Sequence, residues 1–350
     1  MKRTNNELYQ QDFSLDFAHQ TQLLDLPDEL LLLIIMQCSG LSKFVIHFVS
    51  KKFWCMTQDN DINRKFGISF VTYFIQNNWI SDKKDKICEL AVGEGSLSIL
   101  KWAKENGCSW NENTCRVAAY GGHLEILKWS QKNNCPWDRG TYNWAAYGGH
   151  LEILKWARDN GCPWDEETCT SAALGGNLEI LKWARDNGCP WDQGTCNAAA
   201  KGAHLDVLKW AHDNGCAWSV ITCREAAYFG NLEVLKWLHK NGCDWNEDTC
   251  SYAAYNGHIE VLEWAIENGC EWNYQTCSYA AKKAHLKVIK WAYKNGCPWD
   301  KISCEEAILG GHLDVLKWAI DNGCEWDKDT CIKLAKDNNH NHIVEWIEKK

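Results

Sequence analysis

Cysteine and histidine are the residues of this chain with the greatest capacity for metal binding, redox chemistry or acid–base catalysis, and there are 20 cysteines and 12 histidines. Eighteen of the cysteines fall into two columns with a period of 27 residues. The columns are Cys108, Cys135, Cys162, Cys189, Cys216, Cys243, Cys270, Cys297 and Cys324, and Cys88, Cys115, Cys169, Cys196, Cys223, Cys250, Cys277, Cys304 and Cys331. Neighbouring members of the two columns have the spacing C-x6-C, whereas zinc sites use tighter pairs such as C-x2-C.

The second cysteine column is interrupted by Tyr142, and a tyrosine cannot replace a thiolate ligand. We therefore interpret the cysteines as small buried residues of a core, and we expect no bound metal and no cofactor. A redox or zinc protein built on the thiols is the alternative that the residues leave open.

Six histidines follow the same period. They are His123, His150, His204, His258, His285 and His312, and Asn177 and Asn231 fill the position in two further repeats. Asparagine can replace histidine in a hydrogen bond but not as a general base, so we expect a structural role at a helix start. No Ser-His-Asp set, phosphate loop or paired-carboxylate motif stands outside the repeats, and the sequence predicts no enzyme.

Eighteen of the 22 tryptophans form two more columns, from Trp102 to Trp318 and from Trp110 to Trp326, again 27 residues apart. The first column lies on the apolar face of a predicted helix, and we expect it to pack in the core between repeats. The second column lies in a predicted turn, where it is partly exposed or clamps one unit to the next.

Each 27-residue unit predicts two short helices. The first would begin at a hydroxyl residue acting as N-cap, at Thr114, Thr141, Thr168, Thr195, Thr222, Thr249, Thr276, Ser303 and Thr330. An alanine pair such as Ala172-Ala173 would let neighbouring helices approach closely. The second helix would end at a left-handed residue, at Gly107, Gly161, Gly188, Gly215, Gly242, Gly269, Gly296 and Gly323, with Asn134 in the remaining repeat.

A unit of this size cannot bury its own apolar face, and stacked neighbours bury it for one another. The sequence therefore predicts an all-α fold, a helix-turn-helix solenoid over residues 70–350 with about ten helix pairs and irregular terminal caps. Residues 1–20 are expected to be a flexible N-terminus.

The net charge of −9 and the pI near 5.8 argue against binding to nucleic acid through phosphate contacts. The longest apolar run, Leu30 to Met36, is far shorter than the roughly 20 residues of a membrane helix, and the N-terminus lacks the apolar core of a secretory signal. We expect a soluble cytoplasmic protein with reduced thiols and no membrane partner.

The segment AAYGGHLEILKWARDNGC (Ala145 to Cys162) resembles the ankyrin-repeat consensus, with Trp156 in place of a leucine and Cys162 in place of an alanine. An ankyrin unit has about 33 residues, so the hairpin finger would be reduced to a tight loop. The short Trp- and Cys-rich repeats are similar to those of amoebae and their large DNA viruses, which would place a viral member in the host cytoplasm. The resemblance implies binding to a partner protein.

The segment from Leu23 to Trp54 resembles an F-box, with Leu-Pro-Asp-Glu before an apolar helix and Val-Ser-Lys-Lys-Phe-Trp at its close. The resemblance implies a helical module over residues 21–60 that binds the Skp-type adaptor of a cullin-RING ubiquitin ligase. The implied adaptor-binding residues are Leu26, Pro27, Asp28, Glu29, Leu30, Ile34, Val49 and Phe53. The alternative is that this segment only caps the solenoid.

A partner of a solenoid is expected to bind where the residues vary while the frame is constant. Such positions lie in the first helix of each unit and hold several tyrosines and a tryptophan, residue types enriched in binding hot spots. The candidate target-binding residues are Tyr120, Trp144, Tyr147, Tyr228, Tyr252, Tyr255 and Tyr279. A solvated face without a ligand is the alternative at any one of them.

Together these features favour a substrate receptor, in which the F-box binds the adaptor, the repeats hold an unknown target protein, and the ligase core transfers ubiquitin. The second hypothesis is an ankyrin-repeat binding scaffold with no ubiquitin-ligase link.

Overall fold

The computed structural model describes residues 84–105 and 107–350 of the chain. The regular secondary structure of this part is helical. Twenty helices of nine or ten residues form ten consecutive pairs in this part. They are α1 (Lys84–Gly93), α2 (Leu97–Glu105), α3 (Glu112–Tyr120), α4 (Leu124–Lys132), α5 (Arg139–Gly148), α6 (Leu151–Asp159), α7 (Glu166–Leu174), α8 (Leu178–Asp186), α9 (Gln193–Lys201), α10 (Leu205–Asp213), α11 (Val220–Tyr228), α12 (Leu232–Lys240), α13 (Glu247–Tyr255), α14 (Ile259–Glu267), α15 (Tyr274–Lys282), α16 (Leu286–Lys294), α17 (Lys301–Leu309), α18 (Leu313–Asp321), α19 (Lys328–Asp337) and α20 (Asn341–Lys349). Odd-numbered helices are the first helices of their repeats and even-numbered helices the second. The all-helical solenoid predicted from the 27-residue period is confirmed.

The first helices begin earlier than predicted, because the N-cap is not the threonine but the residue three positions before it. Asp165 has an extended backbone and its side chain accepts a hydrogen bond from the Glu167 N–H, while Thr168 lies in the first turn. The nine N-caps of this kind are Asn111, Asp138, Asp165, Asp192, Ser219, Asn246, Asn273, Asp300 and Asp327. Aspartate, asparagine and serine cap as well as threonine, and their side chains leave the threonine free to enter the packed interior.

Eight of the nine residues of the hydroxyl column are buried, from Thr114 to Ser303, and Thr330 in the last repeat is exposed. The Thr168 hydroxyl donates to Asn143 Oδ1 of the preceding repeat at 3.0 Å, and Thr222 does the same to Asn197 at 2.6 Å. In the repeat that begins at Ser219, the Thr222 hydroxyl also accepts a hydrogen bond from the Ser219 N–H, which completes a capping box. The column therefore lies at the third helical position. There the hydroxyls of Thr168 and Thr222 bond to the preceding repeat, whereas five others are buried without a hydrogen-bond partner: Thr141, Thr195, Thr249, Thr276 and Ser303.

The turn that follows each second helix from α2 to α18 contains a residue with a left-handed backbone. After α6, the Gly161 N–H donates to the Arg158 carbonyl and the Cys162 N–H to the Ala157 carbonyl, at 3.1 and 2.9 Å. This pair of bonds is the Schellman motif, and Gly161 has the positive φ of 76° that it requires. The predicted glycine column is confirmed as this position, with Asn134 at φ 61° as the one replacement.

The core of each repeat lies on the second helix and between successive first helices. Ile153 and Leu154 of α6 are 2% and 0% exposed, and complete burial of such a side chain contributes about 1.5–3 kcal/mol. Ala172 and Ala173 of α7 are wholly buried, and successive first helices pack more closely than successive second helices. A stack whose units are closer on one side bends toward that side, so the first helices form its inner face.

We predict that Gly161→Ala lowers the free energy of unfolding by about 1–2 kcal/mol, because the left-handed backbone conformation is unfavourable for alanine. A Cβ at Gly161 would meet open space, so the effect tests the backbone conformation alone. Gly161→Asn is the matched control and should cost less, since Asn134 holds the equivalent position. Urea unfolding followed by circular dichroism measures both, and equal losses for the two variants would contradict this account.

Candidate protein-binding face

The cysteines of the two columns meet in pairs inside the repeats. All eighteen cysteines of the described part are buried and form no disulfide. Contacts between thiols join Cys115 to Cys135, Cys169 to Cys189, Cys196 to Cys216, Cys223 to Cys243, Cys250 to Cys270, Cys277 to Cys297, and Cys304 to Cys324. Among the described residues, no three side chains of His, Cys, Asp or Glu converge as a metal site would require.

The thiols also connect the end of the second helix to the start of the first. Cys216 Sγ lies 3.1 Å from the Asp192 carbonyl, and Cys189 Sγ lies 3.2 Å from the Asp165 carbonyl. Both carbonyls already accept the N–H of the threonine three residues on, and the thiol, a weak donor, adds a second contact that alanine could not make. In the repeat where Tyr142 interrupts the column, the tyrosine is fully buried and its hydroxyl donates to the Leu154 carbonyl at 2.9 Å.

Burial makes Cys162 and Cys331 poor nucleophiles. It raises the pKa of Cys162 to about 12 and that of Cys331 to about 11. Removal from water penalises the thiolate, and the Asp138 carboxylate adds to this effect at Cys162. Cys189, Cys216, Cys243 and Cys324 instead have a lowered pKa, because the facing thiol of each pair forms a hydrogen bond with them. Reactive cysteines combine a lowered pKa with access to solvent, and all these thiols are buried, so the geometry is that of structural thiols.

The histidine column joins each repeat to the one before it. The His150 ring Nε2 lies 2.8 Å from the Tyr120 carbonyl, and the His258 Nε2 lies 3.1 Å from the Tyr228 carbonyl. In the same position, Asn177 Nδ2 donates to the Tyr147 carbonyl at 2.9 Å. A general base is not needed for this bond, which is why asparagine can replace histidine here.

The histidines of the column are also close enough to influence one another's charge. Desolvation lowers the pKa of His123, and the neighbouring His150 adds to the effect. Desolvation likewise lowers the pKa of His285, against a hydrogen bond to Tyr255 that raises it, with His258 and His312 contributing repulsion. Both rings are therefore held in the neutral form more strongly than in an unfolded chain.

The two tryptophan columns meet on the side of the second helices. Trp164, which follows α6, packs on Trp183 of the next repeat with ring centroids 6.1 Å apart, and the same contact recurs from Trp110–Trp129 at 5.6 Å to Trp299–Trp318 at 5.5 Å. The turn tryptophans therefore clamp one repeat to the next. The helix column was expected in the core, but beyond Trp102 it is only half-buried, because the apolar interior is filled by the Ile-Leu pair and alanine.

A residue from the preceding helix covers the outer face of several turn tryptophans. Arg158 lies 4.4 Å from the centre of the Trp164 ring, and His212 stacks on Trp218 at 3.7 Å. Cation–π and stacking contacts of this kind stabilise the clamp. The two tryptophan columns are nearly constant from repeat to repeat, and much of their aromatic surface is already in contact with other residues. We therefore assign these tryptophans to the structural framework of the repeats and not to a binding site.

The predicted target-binding aromatics lie on the first helices, and the structure gathers them into two clusters. In the first, Tyr120, Trp144 and Tyr147 are 49%, 45% and 37% exposed. The rings of Tyr120 and Tyr147 stack at 5.9 Å, and Trp144 meets Tyr120 edge-on at 5.4 Å. We call these three residues the N-terminal cluster.

The second group contains the other four predicted residues. Tyr228 and Tyr255 stack at 6.1 Å, Tyr252 lies 5.8 Å from Tyr228, and Tyr279 contacts both Tyr252 and Tyr255 at 5.8 Å. We call Tyr228, Tyr252, Tyr255 and Tyr279 the C-terminal cluster. All four are half-buried, and desolvation raises the pKa of Tyr279, so its hydroxyl stays protonated and able to donate a hydrogen bond.

One exposed aromatic beside the C-terminal cluster was missed. Phe229 is 40% exposed and its ring lies 4.8 Å from that of Tyr228. It stands where most repeats have the first glycine of the turn between helices, so a departure from the repeat pattern was the signal.

Lysine and arginine side chains lie over rings of the C-terminal cluster and over the ring of Phe229. Lys201 is 5.1 Å from the ring centre of Phe229, Lys283 is 5.0 Å from that of Tyr255, and Arg224 is 5.2 Å from that of Tyr252. This combination of apolar rings and cations can accept apolar side chains and carboxylates of a partner. At the N-terminal cluster the nearby Arg116 is already paired with Asp138.

The predicted adaptor-binding residues, from Leu26 to Phe53, lie outside the described residues, as do the predicted segments 1–20 and 21–60. In the part that the structure describes, no helix has the length and apolar character needed to cross a bilayer.

One comparison with known protein families matches part of the repeat region. Residues 223–303, which span three 27-residue units, match the model of the family described as ankyrin repeats (3 copies). The crystal structure of the human ASB11 ankyrin repeat domain is similar to 45% of this chain and to 84% of its own, at 16% identity and a TM-score of 0.37. The comparison with curated proteins finds no match. Residues 223–303 therefore match ankyrin repeats, and the resemblance stated on Ala145–Cys162 has support from the family model in these later copies of the same 27-residue unit.

We predict that Cys162 reacts with iodoacetamide about a thousandfold more slowly in the native protein than after unfolding. At pH 8 a pKa of about 12 leaves about 10⁻⁴ of this thiol ionised, against about a quarter for an ordinary cysteine. Mass spectrometry of the labelled Cys162 peptide measures both rates. An exposed cysteine from Asp213→Cys is the control, and native labelling of Cys162 at the control's rate would refute the structural role.

We also predict that the protein loses stability as the pH falls below about 6.5, the unfolded pKa of histidine. The folded pKa values of His123 and His285 are lowered, so the unfolded chain binds more protons in this range and stability rises with pH. Urea midpoints at pH 7.5 and 5.5 measure the effect, above the range in which carboxylates titrate.

The matched variant for this prediction is His123→Asn with His285→Asn, since asparagine occurs naturally at Asn177 and Asn231. It keeps a hydrogen-bond donor and removes the titrating ring. The difference between the two midpoints should become smaller, and an unchanged difference would mean that other groups cause the pH dependence.

Proposed function

We propose that this protein binds a target protein through the face formed by its first helices and that it performs no chemistry itself. The observation that carries the proposal is the clustering of exposed and half-exposed aromatic residues on that face, at positions that vary within a constant frame. The match to ankyrin repeats supports a role in protein–protein interaction.

The chemistry of the two clusters suits a protein partner. Tyrosine and tryptophan combine a large apolar surface with a polar group and lose little side-chain entropy on binding, and they are enriched in hot spots. The net charge of −9 disfavours a polyanion as the general ligand of the face. The clusters are also rigid, because each ring is braced by another ring of its group.

The finer proposal is that the target is presented to a ubiquitin ligase in the cytoplasm. Its support is the F-box-like segment from Leu23 to Trp54, whose apolar helix would bind a Skp-type adaptor. The chain would then act by holding the target near the ligase's conjugating enzyme. A binding scaffold without this link is the second candidate, supported by the repeats alone.

We expect purified Skp-type adaptor to co-purify with the full-length chain and to be lost with the double substitution Leu26→Ala and Pro27→Ala. The change removes part of the apolar surface that would face the adaptor, and circular dichroism checks that the repeats remain folded. Tyr147→Ala is the control, since it lies on the first-helix face and should leave adaptor binding unchanged. Failure of the unaltered chain to retain adaptor would favour the scaffold.

A further inference from the structure

The two aromatic clusters repeat one arrangement at two places in the stack. In the N-terminal cluster the planes of Tyr120 and Tyr147 are inclined by 18°, and Trp144 stands against Tyr120 at 82°. In the C-terminal cluster the planes of Tyr228 and Tyr255 are inclined by 22°, and Tyr252 stands against Tyr228 at 58°. The corresponding residues are 108 positions apart, which is four repeats of 27.

The distance between the two clusters follows from helix packing. Neighbouring packed helices have axes about 8–10 Å apart, so four repeats separate equivalent residues by about 32–40 Å. An extended chain advances about 3.1–3.4 Å per residue. A single extended segment would therefore cover the distance with about 10–13 residues.

The first helices between the two clusters carry no aromatic residue at the equivalent positions. Its two intervening first helices, α7 and α9, present Ser171 and Leu174, then Ala198 and Lys201, at the positions equivalent to the aromatics. Ala198 is only 7% exposed. A helical ligand would place a continuous row of side chains over this stretch and would need about 21–27 residues at 1.5 Å each. A segment anchored at its two ends fits the surface better.

The charges distinguish the two ends. None of the ion pairs among the described residues involves Lys201 or Lys283, which lie over the rings of Phe229 and Tyr255. Other cations nearby are paired: Arg224 with Glu225 at 3.4 Å, and Lys282 with Glu306 at 3.0 Å. The C-terminal cluster thus offers two ammonium groups to a ligand, beside Phe229 and Tyr255, while the Asp248 carboxylate acts on the Tyr279 side of the cluster.

We propose that the target is bound through one extended segment with two apolar or aromatic anchors, one on each cluster, about 10–13 residues apart. Acidic residues flank the anchor that contacts the C-terminal cluster, where they pair with Lys201 and Lys283. The inference rests on the proposed target-binding function and adds the chemical class of its ligand.

The test is selection of a library of random 20-residue peptides on the full-length protein, followed by affinity measurement of the enriched peptides with variants. We expect enriched peptides to carry two anchors at the stated spacing and acids beside one of them. Tyr147→Ala and Tyr255→Ala should each weaken binding about 10- to 30-fold, as the loss of one hot spot does. Tyr293→Ala, an exposed tyrosine on a second helix, is the matched control and should leave the affinity unchanged.

Two further measurements separate the possible failures. Insertion of six residues between the anchors of an enriched peptide should reduce its affinity to that of a single anchor, and Lys283→Gln should weaken acidic peptides only. Peptides that depend on one cluster alone, that tolerate the insertion, or that bind as helices overturn the two-anchor inference but keep the binding face. No enrichment, or enriched peptides unaffected by both tyrosine substitutions, overturns the proposed target-binding face together with it.

Discussion

A single repeat would expose the alanine-rich side of its first helix to solvent. In the described part of the chain, the first helix of a neighbouring repeat covers this side. The alanine pairs are completely buried only because the following first helix lies against them, and the carbonyl groups left at each helix end are bonded by the histidine or asparagine of the next unit. The stability of the stack is therefore a property of interfaces between identical units, and a constant period is the condition for it. The repeated tryptophans, cysteines and threonines are the means by which that period is kept.

Much of this frame could be predicted because a repeated requirement leaves a repeated residue. The left-handed turn selects glycine or asparagine, so the column from Gly107 to Gly323 located the helix ends correctly. The threonine column was misassigned as the N-cap because Asp, Asn and Ser alternate three residues earlier and so form a less uniform column. The position of the tryptophans was also only partly foreseen. Hydropathy indicates that an indole ring avoids water, so it predicts burial of the tryptophans. It does not indicate that residues such as Leu154 and Ile153 already fill the interior and leave the tryptophans half-buried.

The binding face could be predicted only as a set of positions. The variable sites of the first helix gave Tyr120, Trp144 and Tyr228 among others, but not their division into two groups, because ring contacts depend on side-chain directions in adjacent repeats. Phe229 was not predicted, because it replaces a glycine of the turn between helices and does not lie at one of the variable positions. Thus a constant frame reveals where recognition is possible, while the geometry of individual rings determines which residues act together.

Asparagine in the histidine column gives the chain an uneven distribution of proton-sensitive groups. His204 lies between Asn177 and Asn231, whereas His258, His285, His312 and His340 follow one another without interruption. Mutual repulsion on protonation therefore arises in two regions, between His123 and His150 and between His285 and its neighbours His258 and His312. In mild acid we expect the stack to loosen first at these two regions, so their amide hydrogens should exchange before those of the repeats around His204, where asparagine separates the histidines.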